Sequence, residues 1–204
     1  MHKGRLEAFS DGVIAILITI MVLELRMPDA ATLASLETVV PVFLSYALSF
    51  VFLGIYWNNH HHMLQAATRV NGAVLWANLH LLFWLSLVPA ATAWIGRTHS
   101  APVPTAVYGA VLLCAAIAYT LLQTVIVREL GPGSTLAVAV GRDFKGKASL
   151  CLYVAAIPLA FVNRWLADAL YVAVVLMWLV PDPRIESVVT ASEADAGRQS
   201  RPPR

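Results

Sequence analysis

Charge is scarce in this chain. Only 13% of its 204 residues are Asp, Glu, Lys or Arg, about half the share of an ordinary soluble domain. Those few charges fall in short connecting segments and in the last twenty or so residues, so almost nothing remains to build a water-exposed domain. Cysteine is scarce too. Cys114 and Cys151 both lie inside apolar stretches, where they read as small packing residues rather than a disulfide or a thiolate metal site. The first apolar run carries Asp11 and ends in Glu24 without a small-residue cleavage site, so it is expected to be a retained helix and not a signal peptide. No similarity links the two halves of the chain, which counts against a transporter built from inverted repeats. Asp11 with His60 or His61 is the one candidate acid–base pair at a shared depth. It lacks a third partner, so no enzyme is expected. No cofactor, metal or nucleic-acid partner is expected either.

What is abundant is apolar length. Hydrophobic residues make up 59% of the chain, and a bilayer core needs about 20 of them per helical crossing. Apolar stretches run from Leu6 to Leu25, Val39 to Trp57, Ala73 to Ile95, Thr105 to Val127, Ser149 to Val162 and Trp165 to Val180. The last two are short and separated only by Asn163 and Arg164, which predicts a tight helical hairpin or a pair of re-entrant segments. The expected class is therefore an all-α polytopic protein of the cell membrane, with six transmembrane helices over residues 1–181. The tail, 182–204, is rich in Ser, Ala, Arg and Pro without apolar periodicity, and is expected to be a disordered cytoplasmic segment.

Basic residues set the orientation. With the N-terminus inside, 11 of the 14 Lys and Arg fall on the cytoplasmic side, against Arg26, Arg97 and Arg164 outside. Leaving out Arg198, Arg201 and Arg204, the ratio is still 8 to 3. Both termini are expected in the cytoplasm.

The first apolar segment differs from the others. Ionisable residues within a membrane helix are costly and face protein interior or a watery cavity, yet this segment holds Arg5, Glu7, Ser10, Asp11, Thr19 and Glu24. At about 100° per residue, Gly12, Ile16, Thr19, Ile20 and Leu23 form one stripe, with Asp11 roughly 120° from its centre. The stripe alone is compatible with ordinary helix packing. Ser10 and Asp11 on the second face need polar partners in neighbouring helices or subunits.

The second segment ends Tyr56-Trp57-Asn58-Asn59-His60-His61-His62. Adjacent helical positions point about 100° apart, so these histidines cannot jointly chelate an ion. They are instead candidate partners for Ser10 and Asp11, provided the first two helices touch. The third segment contributes Trp76, Asn78, His80, Ser86, Pro89 and Thr92, a polar set suited to burial between helices, with a kink at Pro89.

The run Arg5 to Glu24, with Phe9-Ser10-Asp11-Gly12, resembles the signature of the transmembrane protein 175 family of potassium channels, in its single-repeat prokaryotic form. The likeness continues through Tyr56-Trp57, His60-His61, Trp76, Asn78-Leu79, Leu82-Phe83, Leu85-Ser86-Leu87, Pro89 and Thr92, and departs from the pattern at His62 and Met63. The resemblance implies a homotetramer in lipid whose first helices surround a pore for potassium ions. It implies no re-entrant filter, and the chain contains no Thr-Val-Gly-Tyr-Gly run. It also implies that Ile16 forms the main hydrophobic constriction, Thr19 a hydroxyl ring, and Ile20 and Leu23 further pore levels. Arg5, Phe9, Ser10, Asp11, Trp57 and His60 or His61 would form a polar network holding the first helix. Glu24 would either draw cations to the mouth or pair with Arg26. A proton pathway or a secondary transporter using Asp11 and the histidines stays as the alternative.

Overall fold

The computed structural model describes residues 3–67, 69–131, 134, 136–137 and 143–179. The expected tail 182–204 lies outside the described residues. The chain is helical: α1 (Lys3–Val22), α2 (Leu33–Leu36), α3 (Val40–Ala66), α4 (Gly72–Ser86), α5 (Val88–Arg97), α6 (Pro102–Leu130), α7 (Phe144–Val162) and α8 (Arg164–Leu179).

Local chemistry sets the ends. Pro sits in the first turn of α3, α5 and α6, where a missing N–H costs nothing. Asn71 caps α4 by accepting from Val74 N, and Asp143 caps α7 by accepting from Gly146 N. Gly131 closes α6 at φ 87°, a left-handed conformation that glycine adopts without strain. The break between α4 and α5 falls at Leu87 because Pro89 has no N–H to offer the preceding turn.

Four stretches are long and apolar enough to cross a membrane: Val40–Ala66, Gly72–Arg97, Pro102–Leu130 and Phe144–Val162. The remaining described helices, the four-residue α2 among them, fall short by that measure. α1 concentrates Lys3, Arg5, Glu7 and Asp11 in its first three turns, and α8 has 16 residues, about 24 Å of helix against a core of about 30 Å. α7 and α8 form the tight hairpin expected at Asn163, whose side chain accepts from Trp165 N.

Packing places α1 against α3, α4 and α5, while α6 contacts α4, α5, α7 and α8. Ala115 and Ala118 on α6, Ala156 and Ala160 on α7 and Ala167 on α8 are almost wholly buried. Small residues let helices approach closely where no hydrophobic force drives them together in lipid. Gly109 marks the tightest crossing, since a Cβ there would overlap the Tyr171 hydroxyl and sit 3.0 Å from its Cζ. Gly109→Ala is therefore expected to cost about 1–3 kcal/mol through overpacking, read as a lower thermal midpoint in detergent. Adding Tyr171→Phe should recover only part of the loss, since it removes the hydroxyl overlap but also the bond to Thr105 O, whereas an unchanged midpoint for the single variant would contradict this packing.

Candidate functional site: the first helix and its polar anchor

α1 has two unlike sides. Leu6, Ser10, Ile14, Leu17 and Met21 recur every three or four residues and are buried against the rest of the chain. On the opposite side Ile16 is 56% exposed, Ile20 45% and Leu23 75%, and Gly12 and Thr19 are exposed with them. Thr19 Oγ1 donates to Ile16 O at 2.9 Å, which occupies its hydrogen and leaves oxygen lone pairs on the uncovered side. Arg5 and Phe9 share this uncovered side. Phe9 is 50% exposed, and neither residue contacts the polar groups described next among the described residues. At about 100° per residue, Phe9 lies only about 20° from Ile16 around the helix.

The buried side is anchored by a polar relay through three helices. Ser10, Asn78 and His60 are each completely buried. Ser10 Oγ donates to Leu6 O at 2.9 Å and accepts from Asn78 Nδ2 at 3.0 Å. His60 Nε2 donates to Asn78 Oδ1 at 2.7 Å, which joins α1, α4 and α3. Among the described residues, His60 Nδ1 is buried without a partner. In hydrocarbon an unpaired polar group costs several kcal/mol, so this relay fixes how α1 is rotated.

A more exposed seam runs beside it. Trp57 Nε1 donates to Asp11 Oδ1 at 3.0 Å, and the Trp57 ring stacks on His61 with centroids 6.0 Å apart. Gln65 Nε2 lies 2.9 Å from His61 Nε2, and Lys3 Nζ donates to Gln65 O at 2.6 Å. The histidines diverge as the helical angle requires, His60 toward Asn78 and His61 toward Trp57.

At the other end of α1, Glu24 pairs with Arg97 at the end of α5 and not with Arg26, one of the two roles expected for it. The physical reason is geometry. Arg26 follows within two residues in an irregular turn, where its backbone N–H bonds Glu24 O, while α5 brings the Arg97 guanidinium directly to the carboxylate.

A second buried relay was not foreseen. Ser49 on α3 bridges Thr92 on α5, at 2.7 Å, and Tyr108 on α6, at 2.8 Å. Thr92 was legible as a buried hydroxyl. Ser49 and Tyr108 lie in otherwise apolar runs, and only their shared depth, invisible without the fold, connects them.

Apolar helices of spanning length, locked by buried polar side chains and leaving one helix face uncovered, define a multi-pass helical membrane protein. Comparison with known proteins narrows that class. A sequence model of the family described as "Endosomal/lysosomal potassium channel TMEM175" matches residues 5–89. A protein from Chryseobacterium sp. (strain P1-3), named a potassium channel, is 55% identical over 186 residues, covering 91% of this chain and 97% of the relative. The crystal structure of a lysosomal potassium-selective channel TMEM175 homolog from Chamaesiphon minutus superposes with a TM-score of 0.77. It shares 28% identity and is covered over 96% of its length by 87% of this chain. The human endosomal/lysosomal proton channel TMEM175 is 32% identical over 112 residues, and the chain spans only 22% of its length. The chain belongs to the TMEM175 family. Its named relatives are ion channels, not enzymes.

Proposed function

We propose that this protein is a potassium-permeable cation channel, a homotetramer of six-helix subunits with both termini in the cytoplasm, whose four α1 helices line the pore. The observation that carries the reading is the uncovered stripe of Ile16, Thr19 and Ile20, continued by Leu23 just past the helix end, on a helix that buries Leu6, Ser10, Ile14, Leu17 and Met21 on its other side. A stripe this apolar would be unremarkable facing lipid, but it holds a hydroxyl and continues into Gly12, Phe9 and the charged Arg5. A pore accommodates that gradient better than hydrocarbon does. The name of the relative at 55% identity points the same way.

In this reading four Ile16 side chains form a constriction that excludes water and ions unless it widens, so gating needs only small helix rotations. Four Thr19 hydroxyls, one turn away, replace part of an ion's hydration shell. Potassium, which is less tightly hydrated than sodium, loses less on entering. No cofactor takes part, and potassium is the conducted ion.

The test is potassium flux into liposomes holding the purified protein. Wild type should leak potassium above empty liposomes, and Thr19→Val should lower the preference for potassium over sodium by roughly two- to fivefold. Folded protein with no flux would reject the channel reading. Proton conduction is the second reading, favoured by the unpartnered Nδ1 of buried His60 and by the name of the human relative. A pH-sensitive dye in the same liposomes separates the two.

A further inference from the structure

A crevice of about 640 Å³ runs between α3 and α8, with no wall from α1. Leu44, Leu48 and Val51 on α3 and Val172 and Val175 on α8 line it. It follows α3 from Pro41 to Val51 and α8 from Arg164 to Val175. Each wall is about 15–17 Å of helix, the depth of one leaflet of a hydrocarbon core about 30 Å thick. Charge is confined to one end. Arg164 and Asp168 stand one turn apart on α8, beside His99 and Ser100 from the connection between α5 and α6. The hydroxyls further along are already engaged, Ser45 Oγ with Pro41 O at 2.9 Å and the Tyr108 hydroxyl with Ser49 at 2.8 Å. Trp165 is exposed beside Arg164, as amphipathic rings are at headgroup depth.

An apolar trough of leaflet depth with charge at its mouth suits a lipid, acyl chain inward and headgroup at the rim. The two charges are opposite in sign, and the ion pairs among the described residues lie elsewhere. The Arg164 guanidinium sits over the Trp165 ring, 5.1 Å from its centre, a contact that spends none of its N–H donors. Helical positions four apart place their Cβ atoms about 5–6 Å apart, comparable with phosphate and ammonium in an ethanolamine headgroup. Arginine presents a donor fork that fits phosphate, and the Asp168 carboxylate accepts from a primary ammonium. A choline head offers that carboxylate no N–H, and a glycerol head leaves it without a cation. We propose that this crevice is a specific site for one phosphatidylethanolamine molecule of the leaflet nearer the Glu24–Arg97 pair, with its phosphate on Arg164 and its ammonium on Asp168. The site uses no residue of α1, so it stands whether or not the stripe lines a pore.

The experiment adds phosphatidylethanolamine, phosphatidylcholine or phosphatidylglycerol of matched acyl chains to the full chain in dodecyl maltoside, and counts retained lipid per chain by native mass spectrometry. One phosphatidylethanolamine should bind saturably, roughly tenfold more tightly than either competitor. Asp168→Asn should remove most of that preference, while Arg164→Gln should weaken all three lipids by a similar factor. Val172→Trp, on the exposed wall of the crevice, should abolish the site, and Val154→Trp, exposed on α7 outside the crevice, should not. Thermal midpoints report that each variant is folded. Three lipids retained alike by wild type, a preference undiminished in Asp168→Asn, or binding unaffected by Val172→Trp would each overturn the proposal. So would a lipid-free assembly that Val172→Trp takes apart, since a second copy would then cover the crevice.

Discussion

Ile16→Asn is expected to raise potassium flux through reconstituted protein by roughly tenfold or more, which corresponds to a barrier lowered by about 1.4 kcal/mol. The argument rests on where Ile16 stands. It is 56% exposed on a helix that buries Ile14 and Leu17, its near neighbours, almost completely. Substitution there disturbs little packing within the subunit, so a change in flux at an unchanged thermal midpoint reads the pore and not the fold. A ring of four branched apolar side chains expels water from a narrow passage, and amides in the same place hold it. Flux no different from wild type, in protein with an unchanged thermal midpoint, would remove Ile16 from the conduction path.

The second large effect concerns Asn78. Asn78→Leu keeps the volume and removes both bonds of the relay, leaving His60 with neither ring nitrogen paired while Ser10 keeps only Leu6 O. Interhelical hydrogen bonds in membrane proteins average only about 0.6 kcal/mol, so the loss of two bonds alone would be small. The stranded imidazole decides the magnitude, because leaving a buried polar group unsatisfied costs about 1–3 kcal/mol by itself. A total loss of about 2–4 kcal/mol is expected, measured by unfolding in mixed detergent. Adding His60→Leu should restore much of it, since replacing both partners by apolar groups is far cheaper than removing one. A single variant as stable as wild type would show that the relay does not hold α1.

Much of this site was readable from residues alone because membrane burial penalises polarity. Ser10, Asp11, Trp57, His60, His61 and Asn78 stand out against apolar runs, and helical angles sort Ile16, Thr19, Ile20 and Leu23 onto one face. Helix ends were less legible. The apolar span of α3 was expected near Val39 to Trp57 and its end in the run to His62, but the helix continues to Ala66, with His60, Met63 and Leu64 buried against neighbours. α7 begins at Phe144 and not Ser149, since the Asp143 cap supports a polar first turn that hydropathy assigns to a loop. Glu24 found Arg97, which is 73 residues away, and no local pattern encodes such a pairing. Arg5 and Phe9, which the resemblance places in the polar network holding the first helix, lie on the uncovered side of α1.

The most direct measurement is thiol accessibility along α1. With Cys114 and Cys151, both free thiols, replaced by alanine, single substitutions Ile16→Cys, Thr19→Cys, Ile20→Cys and Leu23→Cys are made beside Ile14→Cys, Leu17→Cys and Met21→Cys. A small water-soluble thiol reagent is then added during potassium flux. The first four should be modified and blocked, and the last three, buried at 0%, 7% and 1% exposure, should be untouched. Block without this helical pattern, or modification confined to the second set, would contradict a pore lined by the uncovered face of α1.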